Sequence, residues 1–166
     1  MKKTLSVILI LTLVFILSSC TKKTDLPTTT VRFYYKSTSV EHGTENGVIT
    51  WEDRVIPGVN NDTVSIIRTY LEGSKKAGCI MPFPGGTRLK VYDQTQTKAV
   101  VLLSTEAAMQ TDAQFTVASI CLARTIMDIT NVQSVEVCVD AGGGSEQKSI
   151  IITPDNFDLY DSSEDS

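Results

Sequence analysis

Few side chains in this sequence of 166 residues could carry out chemistry, since it holds four cysteines and one histidine. A nucleophilic hydrolase needs a nucleophile, a base and a group that orients the base, but His42 lies alone in a turn-rich loop and no GxSxG sequence occurs. Glu41, His42 and Glu45 lack the ligand spacing of a known metal site. The glycine run 142–144 precedes a predicted strand, whereas a phosphate-binding loop leads into a helix. We therefore expect no enzyme activity, no metal and no cofactor.

Cys20 is the cysteine whose position predicts a chemical role. Two lysines and an apolar run of 13 residues, Leu5 to Leu17, precede it. Because a bilayer core needs about 20 helical residues, this run indicates a secretory signal peptide. Residues 17–20, Leu-Ser-Ser-Cys, resemble the lipobox of bacterial lipoproteins, in which a peptidase cuts before the cysteine and the thiol takes a diacylglyceryl group. We expect removal of residues 1–19 and acylation of Cys20, palmitate included, which would anchor the chain at the extracytoplasmic face of the cell membrane; the alternative is a secreted protein without an anchor.

Three further cysteines, Cys79, Cys121 and Cys138, fall within the folded part of the chain. An odd number of thiols in an oxidising compartment allows at most one internal disulfide. Cys79 lies in a predicted loop and Cys121 near the polar side of a predicted helix, so a pair is possible. Three small buried thiols are the alternative, and the sequence leaves both open.

Charge and composition divide the chain into segments. It has 15 basic and 19 acidic residues, a net charge of −4, and no long basic stretch. Because nucleic-acid binding needs clustered lysine and arginine, we expect no nucleic-acid partner. The length allows one domain, predicted over 31–153, after a polar tether over 20–30 and before an acidic tail over 154–166. Within this tail, Phe157 could dock against the domain.

The first half of the domain is predicted to hold two strands and a helix. β-Branched and aromatic residues indicate strands over 31–35 and 48–56. Asn61 or Asp62 is a candidate N-cap for a helix that Gly73 would end.

The second half is predicted to begin with a glycine- and proline-rich loop over 77–86. Two strands then flank a turn at 93–97, and the capping box Thr111 to Gln114 opens the second helix. Strands over 135–139 and 150–152 complete the order β-β-α-β-β-α-β-β. This order predicts an α+β fold with a mostly antiparallel sheet and two helices covering one face.

The element order and several short motifs resemble the GerMN domain family, named after a sporulation and spore-germination lipoprotein. The matching residues are Tyr70-Leu71-Glu72-Gly73, Pro82, Pro84-Gly85-Gly86-Thr87-Arg88-Leu89, Val101-Leu102-Leu103-Ser104, Leu122-Ala123-Arg124-Thr125, Val132, Val135-Glu136-Val137 and Val139-Asp140-Ala141-Gly142. The resemblance covers about residues 31–143. It implies a fold similar to the ring-building motif of secretion and sporulation assembly proteins, and hence a scaffold or partner-binding module.

These observations favour a lipid-anchored extracytoplasmic binding or scaffold protein, in envelope or sporulation and germination assemblies. Its expected partners are the membrane, through lipidated Cys20, and an envelope protein or peptidoglycan. The predicted last strand, Ile150, Ile151 and Ile152, is the candidate attachment site, because an exposed sheet edge can accept another strand. The alternative function is an extracytoplasmic enzyme or small-ligand binder that acts at the cell wall.

Overall fold

The computed structural model describes residues 28–38, 48–58, 62–140, 142 and 148–157. The leader, Cys20, most of the predicted tether, the loop that holds His42 and the tail beyond residue 157 lie outside the described residues. Among the residues it does describe, no helix is long and apolar enough to cross a membrane.

Within these ranges the chain forms seven strands and two α-helices. The strands are β1 (Thr28–Ser37), β2 (Ile49–Pro57), β3 (Cys79–Ile80), β4 (Leu89–Gln94), β5 (Lys98–Leu103), β6 (Ser134–Val139) and β7 (Ser149–Ile152), and the helices are α1 (Thr63–Leu71) and α2 (Asp112–Thr130). Two short 3-10 turns, Thr105–Met109 and Pro154–Asn156, accompany them.

The strands divide into two sheets, with the orders β2-β1-β3 and β4-β5-β6-β7. Every pairing is antiparallel except β5 with β6, which α2 connects in parallel. The predicted α+β class and mostly antiparallel pairing are therefore confirmed. The predicted single sheet is replaced by two, because the chain leaves the first sheet after β3 through a segment with Pro82 and Pro84, which cannot donate to a ladder.

Helix α2 packs against β1 of the first sheet and against β6 and β7 of the second. Phe115, Ala118 and Leu122 lie in the predicted buried arc, but Cys121 and Thr125 on other faces are also buried. A helix between two sheets loses its solvent-facing side over much of its length. Cys121 is therefore buried in the interior, and its predicted position near the polar side is wrong.

The predicted helix ends are confirmed. Asp62 is the N-cap of α1 and accepts a hydrogen bond from the Ser65 amide at 3.0 Å. Gly73 follows the helix with φ +93°, a left-handed conformation that glycine adopts without steric cost. At α2, the Thr111 hydroxyl and the Gln114 side chain form the reciprocal capping box.

The structure corrects the limits of several predicted segments. Strand β1 begins at Thr28, so the last three residues of the predicted tether pair with β2, and Thr28 lies opposite Pro57. The predicted loop 77–86 contains β3, which pairs with Lys36 and Ser37 of β1. Phe157, at the start of the predicted tail, packs against the core, 5.2 Å below the Arg124 guanidinium.

Candidate functional site

The three predicted attachment residues form most of β7, which pairs with β6 and is the outer strand of the second sheet. Successive side chains of a strand point to opposite faces of the sheet. Ile150 and Ile152 therefore lie on one face and Ile151 on the other. Ile152 is 1% exposed and packs in the core, and Ile150 is half-buried beside it. Ile151 is 56% exposed. Of the three, therefore, Ile151 exposes its side chain on the surface, and Ile152 does not.

The backbone of β7 has one occupied side and one open side. The Val139 amide donates to the Lys148 carbonyl at 2.9 Å, and Val137 and Ile150 are opposite residues further along the pair. Because hydrogen-bonding groups alternate along an antiparallel strand, the N–H and C=O groups of Ser149 and Ile151 point away from β6. Within the described part of the chain, no group hydrogen-bonds to them.

Both ends of β7 are held in place. The Lys148 ammonium contacts the Gln110 carbonyl at 3.0 Å and the Asp112 carboxylate at 2.7 Å, and it lies 5.2 Å above the Phe115 ring. A hydrogen bond from Lys148 lowers the pKa of Asp112. At the other end, the Thr153 amide donates to Asn156 Oδ1 at 2.8 Å in the 3-10 turn. The strand is thus held at both ends, and a strand that is already ordered loses less entropy if another strand pairs with it.

The outer strand of the first sheet, β2, is built differently. Glu52 and Arg54 point inward and form an ion pair at 2.9 Å in which both side chains are largely buried. Glu52 also accepts from the Ser74 hydroxyl at 2.7 Å and the Lys75 amide at 3.1 Å. Burial alone would raise the pKa of the Glu52 carboxyl, but the hydrogen bonds from Arg54, Ser74 and Lys75 lower it below its ordinary value.

The apolar face of β2 points outward. Trp51 and Val55 are exposed, and Val55 is 62% accessible. The Arg32 guanidinium lies 5.2 Å from the Trp51 ring and 2.9 Å from the Asp53 carboxylate. The apolar alternation of β2 is visible in the sequence, but the sequence did not show that the polar face carrying the Glu52–Arg54 ion pair is the inner one.

An apolar groove of about 580 Å³ lies beside the start of α2. Sequence reasoning missed it, because its walls come from separate parts of the chain. They are Lys36, Val48, Ile80, Met81, Pro82, Phe83, Pro84, Met109, Gln110, Ala113, Gln114 and Val117. Met109 is 81% exposed at its rim, and Gln110 fixes one wall by donating to the Pro82 carbonyl at 2.8 Å.

The cysteines of the domain are free thiols. Cys121 and Cys138 are buried, and Cys79 is half-buried. Burial raises the pKa of the Cys121 thiol to about 12, and burial together with Glu136 raises that of Cys138. A protonated thiol is a poor nucleophile. Among the described residues, no three His, Cys, Asp or Glu side chains are grouped so that they could hold a metal ion.

Comparisons with known proteins place the fold. No family model and no curated protein matches the sequence. The structure is similar to the tandem GerMN domains of the sporulation protein GerM from Bacillus subtilis, with a TM-score of 0.51, 14% identity and coverage of 69% of this chain and 40% of that one. It is equally similar to the first GerMN domain of that protein alone, with a TM-score of 0.51, 13% identity and coverage of 68% and 83%.

A protein assigned as a lipoprotein from Clostridium perfringens is 18% identical over 78% of this chain and 89% of its own, with a TM-score of 0.42. The two GerMN comparisons confirm that this chain has a GerMN-like fold. The chain spans less than half of the tandem protein but most of its first domain, so the likeness extends over one such domain.

Proposed function

We propose that this protein is a lipid-anchored extracytoplasmic binding or scaffold protein whose GerMN-like domain attaches partners by strand addition at β7. The observation that carries the proposal is the open side of β7, where Ile151 presents both backbone groups and an exposed apolar side chain. A partner strand would gain main-chain hydrogen bonds from the open edge, and Ile151 would add apolar contact.

The leader supports the extracytoplasmic location. A secretory signal followed by a lipid-accepting Cys20 would place the domain outside the cytoplasm, and two acyl chains give stable anchoring where one gives reversible binding. The GerMN domains with the same fold belong to a sporulation protein, which favours a role in sporulation, germination or envelope assemblies. An envelope protein is the partner that strand addition requires, since peptidoglycan has no polypeptide strand of sufficient length to pair.

The anchor has its own test. Cys20→Ser should move the protein from the membrane fraction to the soluble extracytoplasmic fraction once the leader has been removed. Membrane retention of a processed Cys20→Ser chain would contradict the lipid anchor.

Partner attachment is tested by crosslinking in intact envelopes, followed by pull-down of the full chain. We expect recovery of a defined envelope protein. Failure to recover any partner, together with turnover of a wall fragment by the purified protein, would overturn the proposal and favour an enzyme.

A second candidate function rests on the groove. Its volume of about 580 Å³ falls in the range of small-molecule sites, which are mostly apolar with a few polar groups. This candidate predicts that soluble wall fragments bind the purified chain and that Met109→Glu at the rim weakens binding, while Ile151→Lys has no effect. The reverse result, an effect of Ile151→Lys and none of Met109→Glu, supports attachment at β7.

A further inference from the structure

The sequence of β7 is self-complementary about its centre. An antiparallel pair of two β7 strands that is centred on Ile151 places Ile151 opposite Ile151 of a second copy, Ile150 opposite Ile152, and Ser149 opposite Thr153. Every such pair is apolar or joins two hydroxyl side chains, and both kinds of cross-strand pair are stabilising. No charged residue lies within the paired segment.

The backbone supports the same register. The N–H and C=O of Ile151 point to the open side, so two copies of Ile151 form a hydrogen-bonded pair and exchange two bonds across the twofold axis. The Thr153 carbonyl accepts from the Asn156 amide of its own chain at 3.0 Å and has a second lone pair, to which the Ser149 amide of the other copy can donate. The Thr153 amide is already satisfied by Asn156 at 2.8 Å, so ending the ladder there leaves no unpaired donor.

The charge next to the strand does not oppose this pairing. Lys148 precedes β7, but the Asp112 carboxylate and the Gln110 carbonyl of its own chain already hold its ammonium group. Lys148 therefore adds no free positive charge to the edge that two copies would share.

The two other outer strands of at least four residues in the described part of the chain, β2 and β4, lack this self-complementarity. In β2, a register centred on Glu52, Asp53 or Arg54 places like charges directly opposite, which is destabilising. In β4, a register shift between Leu89 and Val91 interrupts the ladder, and such bulges protect sheet edges from pairing.

We infer that the partner strand at β7 is β7 of a second copy of this chain, so that two four-stranded sheets join into one of eight strands around a twofold axis at Ile151. This inference rests on the proposed use of the β7 edge and names its occupant. A contact of four residues buries little area and is weak by itself. Anchoring of both copies in one membrane through Cys20 would raise their effective concentration and compensate for this.

The register is tested by cysteine crosslinking of the full chain in native membranes, in a Cys79→Ser background because the other two thiols of the domain are buried. With mild oxidant, Ile151→Cys should form a disulfide-linked homodimer, since hydrogen-bonded opposite residues have Cα atoms about 5.5 Å apart, within disulfide range. The Ser149→Cys variant should form no such disulfide, because in this register the two copies of residue 149 are offset by four residues along the strands, about 13 Å. Val55→Cys, exposed on β2, is the matched control and should stay monomeric.

A second measurement uses light scattering of the full chain in detergent. Ile151→Lys should weaken self-association by at least about tenfold, because two ammonium groups would lie directly opposite each other and each factor of ten needs only about 1.4 kcal/mol. Absence of an Ile151→Cys dimer in membranes, or equal crosslinking of Ser149→Cys and Ile151→Cys, would overturn the inference.

The two proposals fail in different ways. If Ile151→Cys forms no homodimer but Ile151→Lys still abolishes recovery of an envelope protein, the second-copy inference is wrong and the proposed function stands. If the homodimer forms and no other envelope protein is recovered, the self-pairing stands and the scaffold role toward other proteins is wrong.

Discussion

Two outer strands, β2 in the first sheet and β7 in the second, differ in how their edges are protected against pairing with another strand. Strand β2 points the Glu52–Arg54 ion pair inward and ends at Pro57, and inward charges and proline are the devices by which proteins prevent edge pairing. Strand β7 is a short neutral run with an exposed isoleucine at its centre. A protein that only had to remain monomeric would protect both edges, so the difference supports the proposal that β7 is the edge used for pairing.

The inner edge of the first sheet shows a third arrangement, in which another element covers the strand. Beyond β3, the β1 backbone faces α2, and the Tyr34 amide donates to the Thr125 hydroxyl at 3.0 Å. The Thr125 hydroxyl also donates to the Cys121 carbonyl at 3.0 Å. Among the longer described strands, the free side of β1 is thus covered by α2, β2 carries inward charges and β4 has a register shift, whereas β7 has none of these features.

Removing the inward charge of β2 should have the largest effect. Glu52→Leu leaves the Arg54 guanidinium buried without its carboxylate partner. It also removes the oxygen that accepts hydrogen bonds from the Ser74 hydroxyl and the Lys75 amide. We expect a loss of about 3 kcal/mol in the free energy of unfolding, measured by urea denaturation. Asp53→Asn, next to it in an exposed ion pair with Arg32, is the matched control and should change stability little. Equal effects of the two substitutions would show that the inward pair has no special role at this edge.

Uncovering the β1 edge should have a smaller effect. Thr125→Val keeps the side-chain shape but removes the acceptor for the buried Tyr34 amide, and an unsatisfied buried donor costs about 1 to 3 kcal/mol. Thr116→Val, in the first turns of the same helix, is the control. The Thr116 hydroxyl donates to the Asp112 carbonyl of its own helix, so its removal leaves no buried amide without an acceptor. A stability change for Thr125→Val no greater than for Thr116→Val would contradict the role of Thr125 in covering β1.

The two edges should also differ in their response to acid. The pKa of Glu52 is lowered in the folded protein below its ordinary value of 4.5. Its contribution is therefore complete above pH 4.5 and is lost as the pH falls through the folded-state pKa. The stability difference between the natural chain and Glu52→Gln should shrink in acid, whereas Ile151→Thr should run parallel to the natural chain, because β7 contains no titratable side chain. A constant difference for Glu52→Gln would contradict the assigned electrostatics.

The smallest effect on folding is expected at β7 itself. Ile151 is mostly exposed, and substitutions at such sites usually change stability by less than about 0.5 kcal/mol. Ile151→Lys should therefore unfold at nearly the same urea concentration as the natural chain. A large destabilisation would mean that Ile151 serves the fold, and the contrast between a structural β2 and a functional β7 would disappear.

The sequence predicted those features that depend on neighbouring residues. The Asp62 N-cap, the left-handed Gly73 and the Thr111 to Gln114 capping box are local, and each was found where expected. Ile150 to Ile152 was placed correctly as an outer strand. The features that sequence reasoning missed or misplaced depend on distant segments.

Three cases show why distant packing escaped prediction. Cys121 is buried because α2 has a sheet on each side. The spacing of apolar residues along the helix does not show that a second sheet covers its other face. Strand β3 forms because β1 extends far enough to pair with it. Glu52 points inward because Ser74 and Lys75, more than twenty residues away, supply its hydrogen bonds.

The central claim is that partners attach at the open side of β7, and one comparison tests it most directly. Two full-length variants, Ile151→Lys and Val55→Lys, place the same charge on an exposed β-branched residue of an outer strand, one in each sheet. Crosslinking in intact envelopes should give no partner with Ile151→Lys and normal recovery with Val55→Lys, both chains being folded and membrane-bound. Unchanged recovery with Ile151→Lys, or equal loss with Val55→Lys, would contradict the claim.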